Sequence, residues 1–240
     1  MTLRAHMATY PARRETLPRA LASIAPQVDR VILVLNDYAE VPEWLGPFAN
    51  VEPVLPPDDL KDTGKFLPEA APDDDVFLTD DDLLYPSDYV AHTLAAAADC
   101  ALRDAVFGYH GSCLKPGFRK TGFDRQYFGM HRAQDRDILV DMIGTGTVYL
   151  KGRQLPPFAE MASARRFTDI RFARLCHAAG LPRVALRHRA AFIEELPVSE
   201  SLYRSFTRNL PPEVFDEVKA FGRKTPGAGR PVDEQQGPGA

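Results

Sequence analysis

The chain has 240 residues, of which 45% are hydrophobic and 26% charged, and its formal net charge is −4. These values are typical of a globular protein with room for one large α/β domain. The acidic balance argues against nucleic-acid binding, and no apolar run reaches the roughly 18 residues that a membrane span requires. The first residues lack the apolar core of a signal peptide, and three widely spaced cysteines predict reduced thiols, so we expect a cytoplasmic protein.

The first part of the chain predicts alternating strands and helices. A strand is expected over residues 3–8, a helix over 17–24 with apolar residues at helical spacing, and a strand buried on both faces over 31–35. This order is a βαβ unit, which predicts a parallel sheet with a right-handed crossover. Further strands are expected over 51–55 and 76–79.

The rest of the chain continues the pattern less regularly. The predicted elements are a helix over 89–102, a strand over 105–109, a long loop or hairpin over 115–136, a strand over 148–150, a helix over 167–179, a strand over 183–186 and a helix over 202–221. We expect one domain over 1–221, followed by a Gly/Pro-rich tail over 222–240 that has too few apolar residues to fold.

Three consecutive aspartates, Asp80, Asp81 and Asp82, follow the apolar run that ends at Thr79. Like charges at the tip of a strand repel one another, so a cation is expected to hold them together. Carboxylates suit Mg²⁺ or Mn²⁺, and such an ion usually also binds substrate phosphates. The alternative is a solvated acidic turn or a helix cap.

Two other strand ends also carry polar groups: Thr9, Tyr10 and Arg13 follow the first strand, and Asn36 and Asp37 follow the second. In open α/β sheets, ligands bind beyond the carboxyl ends of the strands. We therefore expect these groups to meet the three aspartates at one edge of the sheet.

The strand-end aspartates, the βαβ start and a late Thr168-Asp169-Ile170 helix resemble the GT-A fold of glycosyltransferases, close to family 2, over about residues 3–190. The resemblance implies a Rossmann-like, three-layer αβα domain with a mostly parallel central sheet. It also implies a nucleotide-sugar donor lying across the first strands. The family's Asp-x-Asp motif, which holds Mn²⁺ or Mg²⁺ on the diphosphate, corresponds to Asp80 and Asp82.

The same resemblance assigns roles to individual residues. Asp169 corresponds to the general base, although Thr168 stands where the motif has its first acid, and His188 corresponds to a histidine that completes the metal site in some members. The residues assigned to donor binding are Thr9, Tyr10, Arg13, Asn36, Asp37, Lys65, Asp80 and Asp81.

Each assignment has a simpler alternative. Asp37 is also typical of a turn, Asp169 of a helix cap, Lys65 of a solvated turn, and His188, between two arginines, of an exposed basic patch. The segment 144–147, Gly-Thr-Gly-Thr, lacks the ending of a phosphate-binding P-loop, so we interpret it as a turn lining a sugar or acceptor pocket. The basic residues over 119–136 are expected to be solvated surface or a site for an anionic acceptor.

The residues predict metal-assisted handling of a phosphorylated compound. The resemblance further implies a metal-dependent glycosyltransferase that moves a sugar from a nucleotide-diphosphate-sugar, with a UDP-sugar favoured, to a saccharide or glycolipid acceptor in surface polysaccharide assembly. No transmembrane segment is expected, and peripheral membrane contact stays open. The alternatives are a sugar-phosphate nucleotidyltransferase, which the absence of glycine between Thr9 and Arg13 argues against, and a non-catalytic nucleotide-sugar-binding module.

Overall fold

The computed structural model describes residues 1–115, 125–198 and 212–235. Its strands are β1 (Leu3–Thr9), β2 (Arg30–Leu35), β3 (Val51–Val54), β4 (Asp75–Thr79), β5 (Leu83–Leu84), β6 (Val106–Gly108), β7 (Gly111–Leu114), β8 (Arg125–Phe128), β9 (Ile138–Leu139), β10 (Met142–Ile143), β11 (Thr147–Lys151), β12 (Arg183–Ala185) and β13 (Glu194–Glu195). Its α-helices are α1 (Leu17–Ile24), α2 (Tyr89–Asp99), α3 (Phe158–Met161), α4 (Thr168–Ala178) and α5 (Pro212–Phe221).

An eight-stranded sheet in the order β3-β2-β1-β4-β11-β6-β12-β9 forms the centre of the molecule. Strands β3, β2, β1 and β4 run parallel, as do β6 and β12, whereas β11 is antiparallel to both of its neighbours. The predicted α/β architecture with a mostly parallel sheet is confirmed. Small antiparallel sheets, β10-β7-β8 and β13-β5, lie beside it.

Strand β4 explains how the sheet is buried on both faces. Phe77 packs in a cluster with α1 and α2, while Val76 and Leu78 pack in a second cluster with α3 and α4. Successive side chains of a strand point to opposite faces, so an unbroken apolar run is what a sheet between two helical layers requires. All three side chains are 0% exposed.

Residues 222–235 differ from the predicted disordered tail. The backbone of this segment exchanges hydrogen bonds with Leu139 through Gly229 and Arg230, and Val232 is buried in the core. Backbone pairing to the open edge of β9 needs few apolar side chains, which is why composition failed to predict it. Residues 236–240 and the first part of the predicted 202–221 helix lie outside the described residues.

The hairpin alternative for 115–136 agrees with strands β7 and β8, although residues 116–124 lie outside the described part of the chain. In the described ranges, no helix has both the length and the apolar character needed to span a membrane. Cys100, Cys113 and Cys176 are buried free thiols.

Candidate active site

A cleft of about 270 Å³ opens at the carboxyl ends of β1, β2 and β4. The strand-end segments that the sequence analysis identified meet there, because parallel strands end at the same edge of a sheet. The lining includes Tyr10, Arg13 and Asn36 from the first two strand ends, and the three aspartates from the third. A second wall comes from α4 and the turn before β11.

Arg13 pairs with two of the three aspartates. It lies in a 3₁₀ turn that follows β1, and its side chain is 7% exposed. Its Nε lies 3.5 Å from Oδ1 of Asp81, and its Nη2 lies 3.3 Å from Oδ2 of Asp82. Arg13 therefore neutralises part of the negative charge at the tip of β4.

Lys65 pairs with the remaining aspartate, Asp80. It belongs to the 3₁₀ helix Lys61–Phe66, which packs directly on β1 and β2. Gly64 allows this close packing, since a Cβ on it would lie only 3.2 Å from that of Ala8. The Lys65 side chain is 2% exposed, and its Nζ also lies 3.5 Å from the carbonyl oxygen of Thr145. The alternative of a solvated turn is wrong for this residue.

Burial shifts the proton affinities of these groups. It raises the pKa of Asp81 to about 7, with the charges of Asp82 and Asp80 adding to the effect. It also raises the pKa of Asp82 to about 6, again helped by the charge of Asp80. Burial alone would lower the pKa of Lys65, but the Asp80 carboxylate, with smaller contributions from Asp169 and Asp62, outweighs burial and the pKa is raised. Of the three carboxylates that face the two cations, Asp81 and Asp82 therefore bind a proton more readily than exposed aspartates do.

Asp169 stands on the second wall, at the second position of α4. Its Oδ1 accepts hydrogen bonds from the backbone N–H of Thr145 at 2.8 Å and from the Thr145 hydroxyl at 2.7 Å. Both bonds come from the turn before β11, and neither comes from the helix that carries Asp169. The carboxylate thus joins α4 to that turn.

Tyr85 joins the same turn to the aspartates. Its buried hydroxyl accepts the backbone N–H of Asp80 at 2.8 Å and donates to the carbonyl of Gly146 at 2.8 Å. The turn and the Asp80 side chain lie so close together that a Cβ on Gly146 would be 2.6 Å from Cγ of Asp80. A glycine is therefore required here for the acid at the strand tip to keep its place.

Three predicted site residues do not line the cleft. Thr9 is the buried last residue of β1, and Asp37 is exposed with φ of 59°, in agreement with its alternative as a turn residue. His188 is 6% exposed, so it is not in an exposed basic patch either. Its Nδ1 lies 2.9 Å from the carbonyl of Arg189, and its ring packs edge-on against Tyr109.

The predicted metal site is therefore reduced from three residues to two. Over residues 1–115, 125–198 and 212–235, no three His, Cys, Asp or Glu side chains are grouped as a metal ion would need. Asp80 and Asp82 still fit a divalent cation, because Mg²⁺ is often bound by one or two carboxylates and completed by phosphates and water. The three carboxylates share only two cationic side chains, Arg13 and Lys65, which agrees with such a fit.

One predicted residue, Asn36, and two residues that were not predicted, Asp62 and His6, also shape this part of the cleft. Asn36 lines the cleft as predicted, but its amide is bonded to the backbone of Leu60 and Lys61, which fixes the start of the 3₁₀ helix. Asp62 in that helix is a partly buried carboxylate that lines the cleft, and His6 on β1 contacts the carbonyl of Lys65 at 3.2 Å. One sequence signal did point to the second wall of the cleft. The segment 144–147 was interpreted as a turn lining a pocket, and Thr145 in that segment lines the cleft.

The central sheet between two helical layers, with a cleft at its strand ends, defines a GT-A-like glycosyltransferase fold. Among solved structures, the chain is similar to S. aureus TarS 1–349, a GT-A-like glycosyltransferase, in complex with UDP-GlcNAc, with a TM-score of 0.52 and 12% identity over 94% of this chain and 74% of that one. A second structure of TarS 1–349 gives a TM-score of 0.51 and 11% identity over the same shares. Family 2 membership stays a prediction at this identity. No family model matches the sequence, and no curated protein is significantly similar to it.

Proposed function

We propose that the protein is a metal-dependent glycosyltransferase that transfers a sugar from a UDP-sugar to a saccharide or glycolipid hydroxyl. The observation that carries the proposal is a single cleft with cation-paired aspartates on one wall and Asp169 on the other. The similarity to a fold whose solved example, TarS, was crystallised with UDP-GlcNAc supports the choice of donor.

The chemistry of sugar transfer explains the cationic groups. Negative charge develops on the diphosphate as its bond to the sugar breaks, and positive groups already in place stabilise that charge. Arg13 and Lys65 are buried at the cleft, so they are held in position before the donor arrives. A Mg²⁺ or Mn²⁺ ion held by Asp80 and Asp82 would supply further electrostatic stabilisation of the leaving diphosphate.

Asp169 is the proposed general base. An acceptor hydroxyl becomes a better nucleophile when a carboxylate takes its proton in the transition state. Both hydrogen bonds from Thr145 go to Oδ1 of Asp169 and therefore do not use Oδ2. The two bonds also hold the carboxylate in one orientation, which proton transfer at a fixed distance requires.

The first experiment measures thermal stability with UDP, GDP and UDP-GlcNAc, each with Mn²⁺ and with a chelator. We expect UDP and UDP-GlcNAc to raise the melting temperature and Mn²⁺ to increase the shift. The Asp82→Asn variant should lose the increase that Mn²⁺ gives. If no nucleotide stabilises the protein with or without Mn²⁺, the donor assignment is wrong.

The second experiment separates an enzyme from a binding module. UDP release from UDP-GlcNAc, UDP-glucose and UDP-galactose is followed with water or added saccharides as acceptor. Asp169→Asn should still bind UDP but lose at least about 100-fold in turnover, as expected for removal of a general base. Asp73→Asn is the matched control, because Asp73 is exposed before β4, at the other end of that strand. Binding without turnover in the parent protein would instead support a non-catalytic module.

A further inference from the structure

Asp62 is a partly buried carboxylate of the cleft that has no part in the chemistry proposed above. It lies in the 3₁₀ helix Lys61–Phe66. Its Oδ1 accepts the backbone N–H of Arg166 at 2.7 Å, and its Oδ2 accepts the hydroxyl of Thr168 at 2.8 Å. Both oxygens are thus bonded to one short segment, the start of α4.

The start of α4 is poorly fixed by its own residues. The N-cap position is Phe167, which has no side-chain cap, whereas Ser, Thr, Asp or Asn would bond the free N–H groups of the first turn. Arg166 just before it has φ of 73°, in the left-handed region that is unfavourable for residues other than glycine. Asp62 therefore supplies from another element the anchoring that the helix lacks.

The anchored segment carries the proposed base. Thr168, which is 4% exposed and bonded to Asp62, directly precedes Asp169. Thr145 holds Asp169 from the turn before β11. Two consecutive residues of α4 are therefore tied to two different elements of the cleft. Thr145 orients the Asp169 carboxylate, and Asp62 fixes the start of the helix that carries it.

We infer that Asp62 is a positioning residue for Asp169: through Thr168 it holds the start of α4 so that the base keeps its place over the cleft. The inference rests on the proposed function. A shift of about 1 Å in a reacting group can lower a rate by about 100-fold. The loss of this tie should therefore affect turnover far more than donor binding, which the other wall provides.

The test changes the hydroxyl that Asp62 binds and leaves the carboxylates in place. Thr168→Val keeps the size and branching of the side chain but removes the donor, while Thr168→Ser keeps the hydroxyl and is the matched control. With UDP release from UDP-GlcNAc as the assay, Thr168→Val should lower kcat by about 10- to 100-fold. The KM for the donor should stay within about twofold, and Thr168→Ser should keep kcat within about threefold of the parent.

A purely structural role for Asp62 gives a different result. Thr168→Val would then lower the melting temperature, while kcat per folded molecule, measured well below that temperature, would equal that of the parent. That outcome overturns the inference, and so does a rise in KM with kcat unchanged.

Double variants decide whether Asp62 acts through Asp169. If it does, Asp62→Asn should lower kcat in the parent but cause no further loss in an Asp169→Asn background. Losses that multiply overturn the inference while the proposed function stands. Absence of turnover in the parent overturns the proposed function itself, and full turnover in Asp169→Asn removes the base and the inference together.

Discussion

His6 provides a prediction about acid stability whose size follows from the structure. Its side chain is 0% exposed in the middle of β1, and burial, with a smaller contribution from the charge of Arg4, lowers its pKa from 6.5 to about 3. The unfolded chain therefore binds one more proton than the folded chain between these two values. Stability is fully present above pH 6.5 and is lost as the pH falls toward 3.

Each pH unit in this window corresponds to about 1.36 kcal/mol. Over the two units from pH 6.5 to about pH 4.5, His6 should cost the folded state about 2.7 kcal/mol. The raised pKa values of Asp81 and Asp82 act in the opposite direction, because the folded state then binds the extra proton. The His6 contribution is therefore measured as the difference in pH-dependent stability between the parent and a variant that lacks His6.

The variant is His6→Asn, whose amide N–H replaces the ring N–H near the carbonyl of Lys65 and does not titrate. Urea unfolding at about pH 7 and pH 4.5 should show that the parent loses about 2.7 kcal/mol more than the variant. Equal losses in the parent and in His6→Asn would refute the reasoning.

Three further predictions concern the cleft. Gly146→Ala should weaken UDP-GlcNAc binding by at least about tenfold in a calorimetric titration, because its Cβ displaces Asp80, whereas Gly129→Ala, with no atom within 4 Å of the new Cβ, should bind like the parent. Asp80→Ala should lower the free energy of unfolding by about 3 kcal/mol, because it leaves the Lys65 ammonium buried without its carboxylate partner. Lys65→Met should cost less than about 1 kcal/mol, because the Asp80 carboxylate is 39% exposed and can be solvated. Chemical denaturation measures both free energies, and equal costs would contradict the argument. Tyr85→Phe should lower the melting temperature and kcat together, because two buried backbone groups lose their partner; an unchanged kcat would show that this tie does not reach the site.

Local sequence patterns predicted the first half of the fold well. The apolar residues of α1 and the unbroken run of β2 each have one straightforward interpretation, and parallel strand order then places Arg13 beside Asp81 and Asp82. The direction of β11 could not be predicted, because the run around Tyr149 reads the same for a parallel or an antiparallel strand. The tie between Thr145 and Asp169 depends on that direction.

The remaining parts of the site depend on distant contacts. Asp62 stands in a loop between Lys61 and Lys65, which is typical of a solvated turn, and only the packing of Gly64 on Ala8 brings it to the wall of the cleft. His188 follows the last strand of the large sheet, as the resemblance required, but its ring packs edge-on against Tyr109 and does not line the cleft. Position after a strand indicates the end of the sheet at which a side chain lies, and not which neighbours it meets.

The antiparallel pairing of β11 with β4 has a consequence for how this protein can change in evolution. Thr147 stands opposite Thr79, so the acids that directly follow β4 lie beside the glycine that directly precedes β11. Inserting or deleting a residue in either strand would slide these groups past each other by about 3.3 Å and reverse the facing of every side chain beyond. Homologues should therefore tolerate length differences in their surface loops but preserve the exact lengths of 75–79 and 147–151.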